Sequence, residues 1–487
     1  MRFLLRLVGF SLLLLVAVLL VNTFRLTNHQ LAAVPPAPTL DLPADVAVEH
    51  LAGALRFATV SRSDYAQTDT VPFGQLLRYY AQTFPLVHQR LRRQLVNDFG
   101  LLYEWKGSDA SLKPLLLVAH QDVVPVEPGT EKNWTRPPFA GQVADGFLYG
   151  RGTLDDKLNV IGQLEAVEYL LRAGYQPKRT VLLAFAQDEE TQGTRGARAL
   201  APLIGRQYPA LAMVLDEGGL VKTDGVGGLT EPVALVGVSE KGYLSLELTA
   251  AGQNGHSSMP PPLTSVGRVA AAVAKLEANP FPARLDGGVS GLLTYLAPAA
   301  PFGLRVVFAN QWLLGGFVKK KLATTLSGNA TMRTTTAPTI IRGGEKDNVL
   351  PGPAVATVNF RLLPGDSVSA VIARVKELIE DPQIKVSVLG TGHEAAPVSG
   401  TDNAGFTHLH RTIKSVFPQA LVAPYVVVGY TDARSYAHLA PEATYRFMPV
   451  RMAQADIERL HGANERIGTA AYQDVIRFYV QLLRTNF

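Results

Sequence analysis

The stretch VLLAFAQDEE, residues 181–190, combines an apolar run with three acidic residues. Its first six residues are apolar, and a short apolar run bounded by polar residues is typical of a strand buried inside a sheet. Three carboxylates, those of Asp188, Glu189 and Glu190, follow the run almost directly. Because charged groups beside a buried strand need compensation, and a divalent cation supplies it, the stretch indicates a metal site at a strand end.

Two other apolar runs also end at polar residues. Residues 114–119 stop before His120, and residues 213–215 stop before Asp216. A helix is predicted over residues 159–173, so strands and helices alternate, which predicts an α/β domain with a mostly parallel central sheet. In such a sheet the carboxyl ends of the strands share one edge, and we expect the histidine and the acidic residues to converge there.

A second domain is predicted over residues 241–392. Its predicted strands and helices lie at 243–251 (strand), 263–277 (helix), 331–342 and 355–363 (strands), 368–380 (helix) and 384–389 (strand). The order β-α-β-β-α-β is typical of a ferredoxin-like domain, here interrupted by a long insertion, residues 279–328. Residues 44–240 and 393–487 are then predicted as the two parts of the first domain.

The N-terminus predicts a membrane segment. Arg2 and Arg6 lead into an uncharged run of about one short span, and no small-residue cleavage site stands out. We favour an uncleaved anchor, residues 1–26, over a cleaved signal peptide. The body is then expected outside the cytoplasm, membrane-anchored, or secreted or periplasmic after cleavage. The proline-rich residues 27–43 are predicted as a linker.

Composition sets broad limits on the function. The chain has 487 residues, 47% of them apolar and 18% charged, which fits two or three folded domains. Its net charge of +5 comes without basic and aromatic residues interleaved, so we expect no nucleic-acid partner. The absence of cysteine excludes disulfides, iron–sulfur clusters and thiolate zinc sites.

The insertion contains an apolar stretch, PFGLRVVFANQWLLGGFV, residues 301–318, followed by Lys319, Lys320 and Lys321. An apolar segment that ends in a basic cluster predicts a helix on a membrane surface or the lining of a channel for an acyl chain. A helix packed internally, with solvated lysines, is an equally open interpretation.

Five short motifs carry the chemistry. They are HQD (residues 120–122), GRGTLDDK (150–157), DEE (188–190), DEG (216–218) and HGANE (461–465). A histidine is a good zinc ligand, and a carboxylate two residues later can orient its ring. Of two adjacent glutamates, one can bind metal while the other takes a proton from water. Each motif alone is weak, because solvated turns and helix N-termini have similar sequences.

Together, in this order and at these separations, the motifs resemble the M20 metallopeptidase family from about residue 45 to the end. Three further stretches match: GHSSMP (255–260), NVLP (348–351) and NFR (359–361). Within the family, the chain is most similar to the subgroup of N-fatty-acyl-amino-acid synthase/hydrolases. That closer similarity rests on ALVGVSEKG (234–242), RTTT (333–336) and HGANERI (461–467).

The resemblance implies a zinc-exopeptidase-like catalytic domain that holds two zinc ions, with cobalt or manganese as alternatives. Five metal ligands are implied: His120, Asp155, Glu190, Asp216 and His461. Asp155 would bridge the ions, with His120 and Asp216 on one ion and Glu190 and His461 on the other. A shift of one residue in the DEG motif would replace Asp216 by Glu217.

The resemblance also implies roles around the metals. Glu189 would be the general base, and Asp122 would orient His120. An unusual peptide link is implied after Asp155, shaped by Asp156.

The second domain would act as a lid, often also as a dimer interface. Its His256 would stabilise the oxyanion, sometimes across a dimer. Arg361 and Arg434 would bind a substrate carboxylate, with Asn348 on the carbonyl or carboxylate. For each arginine a structural ion pair is the alternative.

The implied activity is hydrolysis, and in reverse formation, of the amide bond of N-acyl amino acids, with long acyl chains suggested by the apolar insertion and the anchor. The alternative within the family is an exported or membrane-anchored carboxypeptidase or dipeptidase. A binding protein without activity is less favoured because the motif set is intact. A serine hydrolase is disfavoured because the sequence has no G-x-S-x-G elbow.

Overall fold

The computed structural model of the chain describes residues 1–485 and 487. The helices are α1 (Arg2–Phe24), α2 (Ala44–Leu55), α3 (Val71–Thr83), α4 (Pro85–Arg90), α5 (Lys157–Arg172), α6 (Ala197–Gln207), α7 (Ser265–Ala278), α8 (Gly287–Leu296), α9 (Phe302–Ala309), α10 (Gln311–Leu322), α11 (Leu326–Met332), α12 (Val368–Ile379), α13 (Ala404–Val416), α14 (Ala433–Tyr436), α15 (Gln454–Ile457) and α16 (Thr469–Arg484). The strands are β1 (Arg92–Val96), β2 (Gly100–Trp105), β3 (Leu115–His120), β4 (Gln142–Ala144), β5 (Phe147–Tyr149), β6 (Val181–Ala186), β7 (Met213–Asp216), β8 (Val221–Lys222), β9 (Val233–Glu240), β10 (Gly242–Ala250), β11 (Gly255–His256), β12 (Thr335–Gly343), β13 (Val349–Leu350), β14 (Ala354–Leu362), β15 (Ile384–His393), β16 (Leu421–Val427), β17 (Thr444–Arg446), β18 (Arg451–Met452) and β19 (Arg466–Gly468).

The first domain is built on a ten-stranded mixed sheet. Its strands follow the order β1-β2-β6-β3-β7-β17-β9-β8-β18, with β16 paired to β9. The central strands β6, β3, β7 and β17 are parallel to one another. This arrangement confirms the predicted α/β fold with mostly parallel central strands.

Both faces of the central strands are buried, which explains why their sequences are apolar without alternation. Leu117 and Leu183 lie in the hydrophobic cluster that also contains residues of α5 and α16. Their neighbours Leu116 and Leu182 point to the other face and pack with residues of α6. The sheet is therefore sandwiched between helices, and its strand ends are held rigidly.

The second sheet is antiparallel and has the order β12-β14-β10-β15. Helices α7 and α12 pack against it, and residues such as Leu246, Val269 and Val371 form a separate hydrophobic cluster between helices and sheet. Along the chain its main elements follow the order β10, α7, β12, β14, α12, β15, with the short pair β11–β13 joining the loops beside them.

Four helices, α8 to α11, form the insertion between α7 and β12. The long apolar stretch divides into α9 and α10, and the three lysines occupy the last turn of α10. Helix α8 lies against β16 so closely that a β-carbon on Gly291 would be 2.9 Å from the ring of Pro424. The insertion is thus joined to the first domain and not only to the second.

Helix α1 is the one described helix that is long and apolar enough to cross a membrane, and none of its apolar window is buried in the protein. The segment that follows it, residues 27–43, contains neither helix nor strand. It is nevertheless attached to the first domain, because the side-chain amide of Gln30 bonds to both the backbone N–H and the carbonyl of Val422. The backbone N–H of Ala37 donates to the carbonyl of Ser415.

Candidate active site

The site lies where β3, β6 and β7 end. His120 is the last residue of β3, Glu189 and Glu190 lie three and four residues past β6, and Asp216 ends β7. Because these strands are parallel neighbours, their carboxyl ends lie at one edge of the sheet, as the sequence predicts. The loop before α5 and the loop after α15 reach the same edge and bring Asp155 and His461.

Asp155 lies between the two histidines. Its Oδ1 is 2.8 Å from Nε2 of His120, and its Oδ2 is 2.9 Å from Nε2 of His461. Two glutamates flank this arrangement: Oε1 of Glu217 is 3.7 Å from Nε2 of His120, and Oε1 of Glu190 is 3.7 Å from Nε2 of His461. The five side chains form two adjoining half-sites that share one aspartate.

This donor set fits divalent metal ions. Ligand atoms of His120, Asp155 and Glu190 lie within 4.8 Å of one another, as do those of His120, Asp156 and Glu217. Oε1 of Glu190 is buried and has no hydrogen-bond partner among the described residues. Imidazole nitrogen together with carboxylate oxygen is the combination that zinc binds in catalytic sites.

The pKa values of the site residues are shifted because their charged groups lie close together. Burial acts to lower the pKa of His120, but its contacts with Asp122, Asp155 and Glu217 outweigh burial and hold that pKa well above the ordinary value. The hydrogen bond to Asp155 raises the pKa of His461 to about 9. Burial and the nearby Asp155 raise the pKa of Glu217 to about 7. A metal cation would relieve this crowding of carboxylates.

Asp216, the ligand that the resemblance implies, and its neighbour Glu217 lie in different surroundings. Both carboxylate oxygens of Asp216 accept backbone hydrogen bonds, one from Glu217 N at 2.9 Å and one from Ala433 N at 2.6 Å. The carboxylate of Glu217 instead faces His120. The geometry therefore favours Glu217 over the expected Asp216 as the ligand, because the oxygens of Asp216 are already used to join β7 to α14.

Asp122 is fully buried and connects the histidine with the acidic loop. Its Oδ1 lies 3.3 Å from Nδ1 of His120 and accepts from the backbone N–H of Glu189 at 3.1 Å. Its Oδ2 accepts from the backbone N–H of Glu190 at 3.2 Å. The backbone carbonyl oxygen of Asp122 also lies 3.1 Å from Nδ1 of His120. Asp122 thus holds the ring of His120 through two oxygens, and its carboxylate fixes the backbone of the two glutamates.

Glu189 begins a short 3-10 turn, Glu189–Thr191, and its side chain is largely buried. Burial holds the pKa of its carboxyl well above the ordinary value, with further contributions from Glu217 and Asp432. A carboxyl group whose pKa is raised in this way holds a proton more readily, which suits a general base that takes a proton from water and later returns it. Asp188 instead stabilises the turn by accepting from the backbone N–H groups of Arg195 and Gly196.

Glu465 belongs to the HGANE motif, but its role in the site is not predicted from the motif. Its carboxylate accepts from the backbone N–H groups of Gly152, Leu154 and Asp155 and pairs with Arg151 at 2.7 Å. It thereby holds the loop that presents Asp155. The peptide bond between Asp155 and Asp156 in that loop is cis, the unusual link that the resemblance implies.

His256 and Asn348 lie together, but away from this cluster. His256 pairs with Val349 through the β11–β13 ladder, and the backbone N–H of Ser257 donates to the carbonyl of Asn348. The ring of His256 is exposed and its Nδ1 lies 2.7 Å from Oγ of Ser258. Within the described residues it has no hydrogen bond or ion pair with the five clustered side chains.

The two predicted substrate arginines lie near the junction of the domains. Nε of Arg434 is 2.7 Å from Oε1 of Glu240, which is the structural ion pair considered as the alternative. Nη1 of Arg434 is buried and lacks a hydrogen-bond partner among the described residues. Arg361 stacks 4.9 Å from the ring centre of Tyr243.

A groove beside Arg434 carries an arginine and a histidine that no sequence motif predicts. It has a volume of about 470 Å³ and is lined by Arg198, His393, Glu394 and Arg434, among others. Nη2 of Arg198 lies 2.9 Å from Nε2 of His393. Burial, followed by the positive charges of Arg198 and Arg434, lowers the pKa of His393. These residues lie far apart in the sequence and meet only through the fold.

Comparison with known proteins connects this geometry to a family. The family model for peptidase family M20/M25/M40 matches residues 116–485. The N-fatty-acyl-amino acid synthase/hydrolase PM20D1 of Xenopus tropicalis is 41% identical over 90% of this chain and 85% of its own length. A probable carboxypeptidase S-like protein of Dictyostelium discoideum is 36% identical over 96% of this chain and 91% of its own length.

Solved structures show the same fold. An M20 metallo-carboxypeptidase from Sulfolobus solfataricus superposes with a TM-score of 0.66 at 17% identity, over 90% of this chain and 98% of that one. Human carnosine dipeptidase 1 superposes with a TM-score of 0.63 at 18% identity, over 92% of this chain and 100% of that one. The chain therefore belongs to the M20 peptidase family and is a metal-dependent hydrolase of the metallopeptidase and amidohydrolase class.

Proposed function

We propose that the protein hydrolyses the amide bond of N-acyl amino acids with two zinc ions bound, and that it accepts long acyl chains. The observation that carries the chemistry is Asp155, whose two oxygens each face a different histidine. The substrate class is supported by the relatives that carry the name N-fatty-acyl-amino acid synthase/hydrolase.

The proposed metal ligands are His120, Asp155 and Glu217 for one ion and Asp155, Glu190 and His461 for the other. Bound zinc would polarise the scissile carbonyl and make water more acidic. Cobalt or manganese would suit the same nitrogen and oxygen donors.

Glu189 is the proposed general base. It takes a proton from the attacking water, the resulting hydroxide adds to the amide carbonyl, and Glu189 returns the proton to the leaving nitrogen. The bond between carbonyl carbon and nitrogen then breaks and releases a carboxylic acid and an amino acid. The same steps in reverse condense the two products. Asp122 supports this role by fixing the backbone of Glu189.

The cationic groove is the proposed site for the free carboxylate of the substrate. Nη1 of Arg434 is buried and has no hydrogen-bond partner in the described part of the chain. Burial lowers the pKa of Arg361, and the positive charge of Arg434 lowers it further, so the two guanidinium groups lie near each other. Arg198 adds a second positive charge, and the neutral ring of His393 accepts a hydrogen bond from it. A guanidinium group matches the two oxygens of a carboxylate.

The second domain is the proposed lid. Its exposed His256 would donate to the developing oxyanion, with Asn348 beside it, after the domain moves toward the site or from a partner subunit in a dimer. The exposure of His256, and the lack of any hydrogen bond between it and the clustered side chains among the described residues, support a role that requires such movement.

The second candidate function is a carboxypeptidase or dipeptidase acting on peptides. It is supported by the carboxypeptidase S-like relatives, one of which aligns with 96% of this chain. Both candidates use the same carboxylate groove and the same base, so only the acyl group separates them. In either case helix α1 is the proposed membrane anchor, with the body outside the cytoplasm.

A substrate panel tests the proposal. N-acetyl, N-oleoyl and dipeptide substrates with the same C-terminal amino acid are incubated with the zinc-loaded protein, and free amino acid is measured. We expect the N-oleoyl substrate to give the highest kcat/KM. Faster release from the dipeptide would favour the peptidase.

Glu189→Gln serves as the active-site control in the same assay. Because general base catalysis contributes about 10²–10⁴-fold, the variant should lose at least about 100-fold in kcat on every substrate while it keeps its bound zinc. Full activity of this variant would show that the mechanism is wrong.

A further inference from the structure

Helix α9 of the insertion is packed against the C-terminal end of α1. The rings of Phe24 and Phe302 lie 6.3 Å apart. At the other end of α9, the side chain of Asn310 accepts from Asn22 at 2.9 Å and donates to the carbonyl of Leu19 at 3.1 Å. Polar side chains that bond between apolar helices are a common way for helices to associate in membranes.

These contacts fix the direction of α9 relative to α1. The start of α9 lies beside Phe24, and its end at Asn310 lies beside Leu19. Leu19 precedes Arg25 by six residues. At 1.5 Å per residue, the end of α9 therefore lies about 9 Å from the charged C-terminal end of α1, toward the middle of that helix. If α1 spans a bilayer, the turn between α9 and α10 lies at the depth of the outer acyl chains.

Helix α10, which follows this turn, is apolar on two sides. Gly315 and Val318 face the protein, and Val318 packs in the cluster of α8. Trp312, Leu313 and Phe317 lie on another side and are 63%, 46% and 59% exposed. A helix in water normally turns polar residues outward, so an outer face with an aromatic pair and a leucine indicates an apolar neighbour.

The charges near this face match a lipid surface. The last turn of α10 carries Lys319, Lys320 and Lys321, and Arg25 ends α1. No acidic residue occurs between residues 287 and 344 of the sequence. Lysine and arginine beside an apolar face, with tryptophan among the apolar residues, are typical of a helix that lies in the interface of an anionic membrane.

We infer that α9 and α10 enter the outer leaflet of the bilayer that α1 spans and hold the catalytic domain against an anionic lipid surface. The occupant of the exposed face is thus the bilayer, because α9 joins α10 to the apolar helix α1 and lysines follow the face at the end of α10. This inference rests on the proposed anchoring role of α1 and adds a second point of attachment. This attachment would place the catalytic domain beside the bilayer, in which long-chain acyl substrates dissolve.

Site-specific fluorescence tests the inference. The chain contains no cysteine, so a single introduced cysteine can be labelled alone with the environment-sensitive dye NBD. The full chain is reconstituted in vesicles of phosphatidylcholine and phosphatidylglycerol. Quenching is measured with doxyl lipids, which act inside the bilayer, and with iodide, which acts in water.

Three labelled positions make the outcome decisive. Leu313→Cys probes α10, Leu13→Cys probes α1, and Leu95→Cys on β1 is the matched control because Leu95 is 48% exposed, close to the 46% of Leu313. We expect blue-shifted emission and quenching by doxyl lipid at 313 and 13, and quenching by iodide alone at 95. The triple variant K319Q/K320Q/K321Q should lose the additional blue shift that phosphatidylglycerol causes at 313.

Each other result overturns the inference in a distinct way. Quenching by doxyl lipid at 13 but by iodide at 313 would mean that α1 anchors the protein while α10 stays in water. Iodide quenching at both positions would contradict the anchor itself. Protection at 313 from both quenchers would indicate that another protein surface, such as a second copy of the chain, covers this face.

Discussion

At the scale of single residues, the acidic stretches in the sequence separate into distinct roles only through hydrogen bonds. Asp216 and Glu217 are adjacent and chemically alike, yet one bonds to two backbone N–H groups and the other faces His120. A motif alignment could not distinguish them, because the difference lies in which backbone groups approach each carboxylate. The same holds for Glu465, because its role depends on the backbone N–H groups that surround its carboxylate.

Exchanging these two carboxylates for amides should have different effects. Glu217→Gln should reduce bound zinc from two ions toward one per chain, because a metal ligand is lost, with little change in the unfolding of the metal-free protein. Asp216→Asn should keep its zinc but unfold more easily, because hydrogen bonds to a charged group contribute about 1.5–3 kcal/mol each. Metal content by mass spectrometry and urea unfolding measure the two effects. Loss of zinc from Asp216→Asn with two ions retained by Glu217→Gln would restore the original assignment.

At the scale of elements, apolar runs without alternation correctly predicted the buried central strands β3, β6 and β7, because strands covered on both faces need no polar side. Helix α13 shows what such patterns miss. It buries His408 and His410, and burial lowers the pKa of both to about 4. Nε2 of His408 lies 3.0 Å from the carbonyl of Leu482, so α13 is joined to α16 by a neutral imidazole.

The buried histidines of α13 should make the protein less stable in acid. Their pKa is near 6.5 in the unfolded chain and lower in the folded one, so between about pH 6.5 and 4 the unfolded state binds more protons and stability falls as the pH falls. His408 and His410 should each lower the free energy of unfolding by about 2 kcal/mol when the pH falls from 7 to 5.

His408→Gln tests this expectation, because glutamine can still donate to Leu482 but does not titrate. Thermal unfolding between pH 7 and 5 should show a smaller decrease in Tm for the variant than for the wild type. The exposed His438→Gln is the control and should follow the wild type. Equal pH profiles for all three proteins would exclude α13 as the cause.

At the scale of the whole molecule, two crossing chain segments join the domains. One runs from β9 to β10 through Glu240 and Lys241, and the other leaves β15 at His393. A β-carbon on Gly242 would lie 2.5 Å from the carbonyl oxygen of His393, so the segments touch backbone to backbone. Glu240 is paired with both Arg434 and Arg446, which ties this junction to the proposed carboxylate groove.

Gly242→Ala should force the crossing segments apart. Overpacking of this kind costs about 1–3 kcal/mol, so urea unfolding should shift to lower concentrations and KM should rise as the groove changes shape. Gly74→Ala is the control, since its nearest neighbour would be Nη1 of Arg78 at 3.9 Å and alanine favours the helix α3. An unchanged KM together with unchanged stability would show that the junction tolerates a methyl group.

The family, the α/β fold and the residue types of the metal site follow from the amino-acid sequence, because strand ends, glycine turns and metal ligands leave local patterns in the chain. The folded chain alone shows which carboxylate faces which histidine, how Glu465 holds the loop of Asp155, and that Arg198 and His393 share a groove with Arg434. It also shows that the apolar insertion packs against α1. These contacts join residues from about 40 to about 300 positions apart, and no local pattern records them.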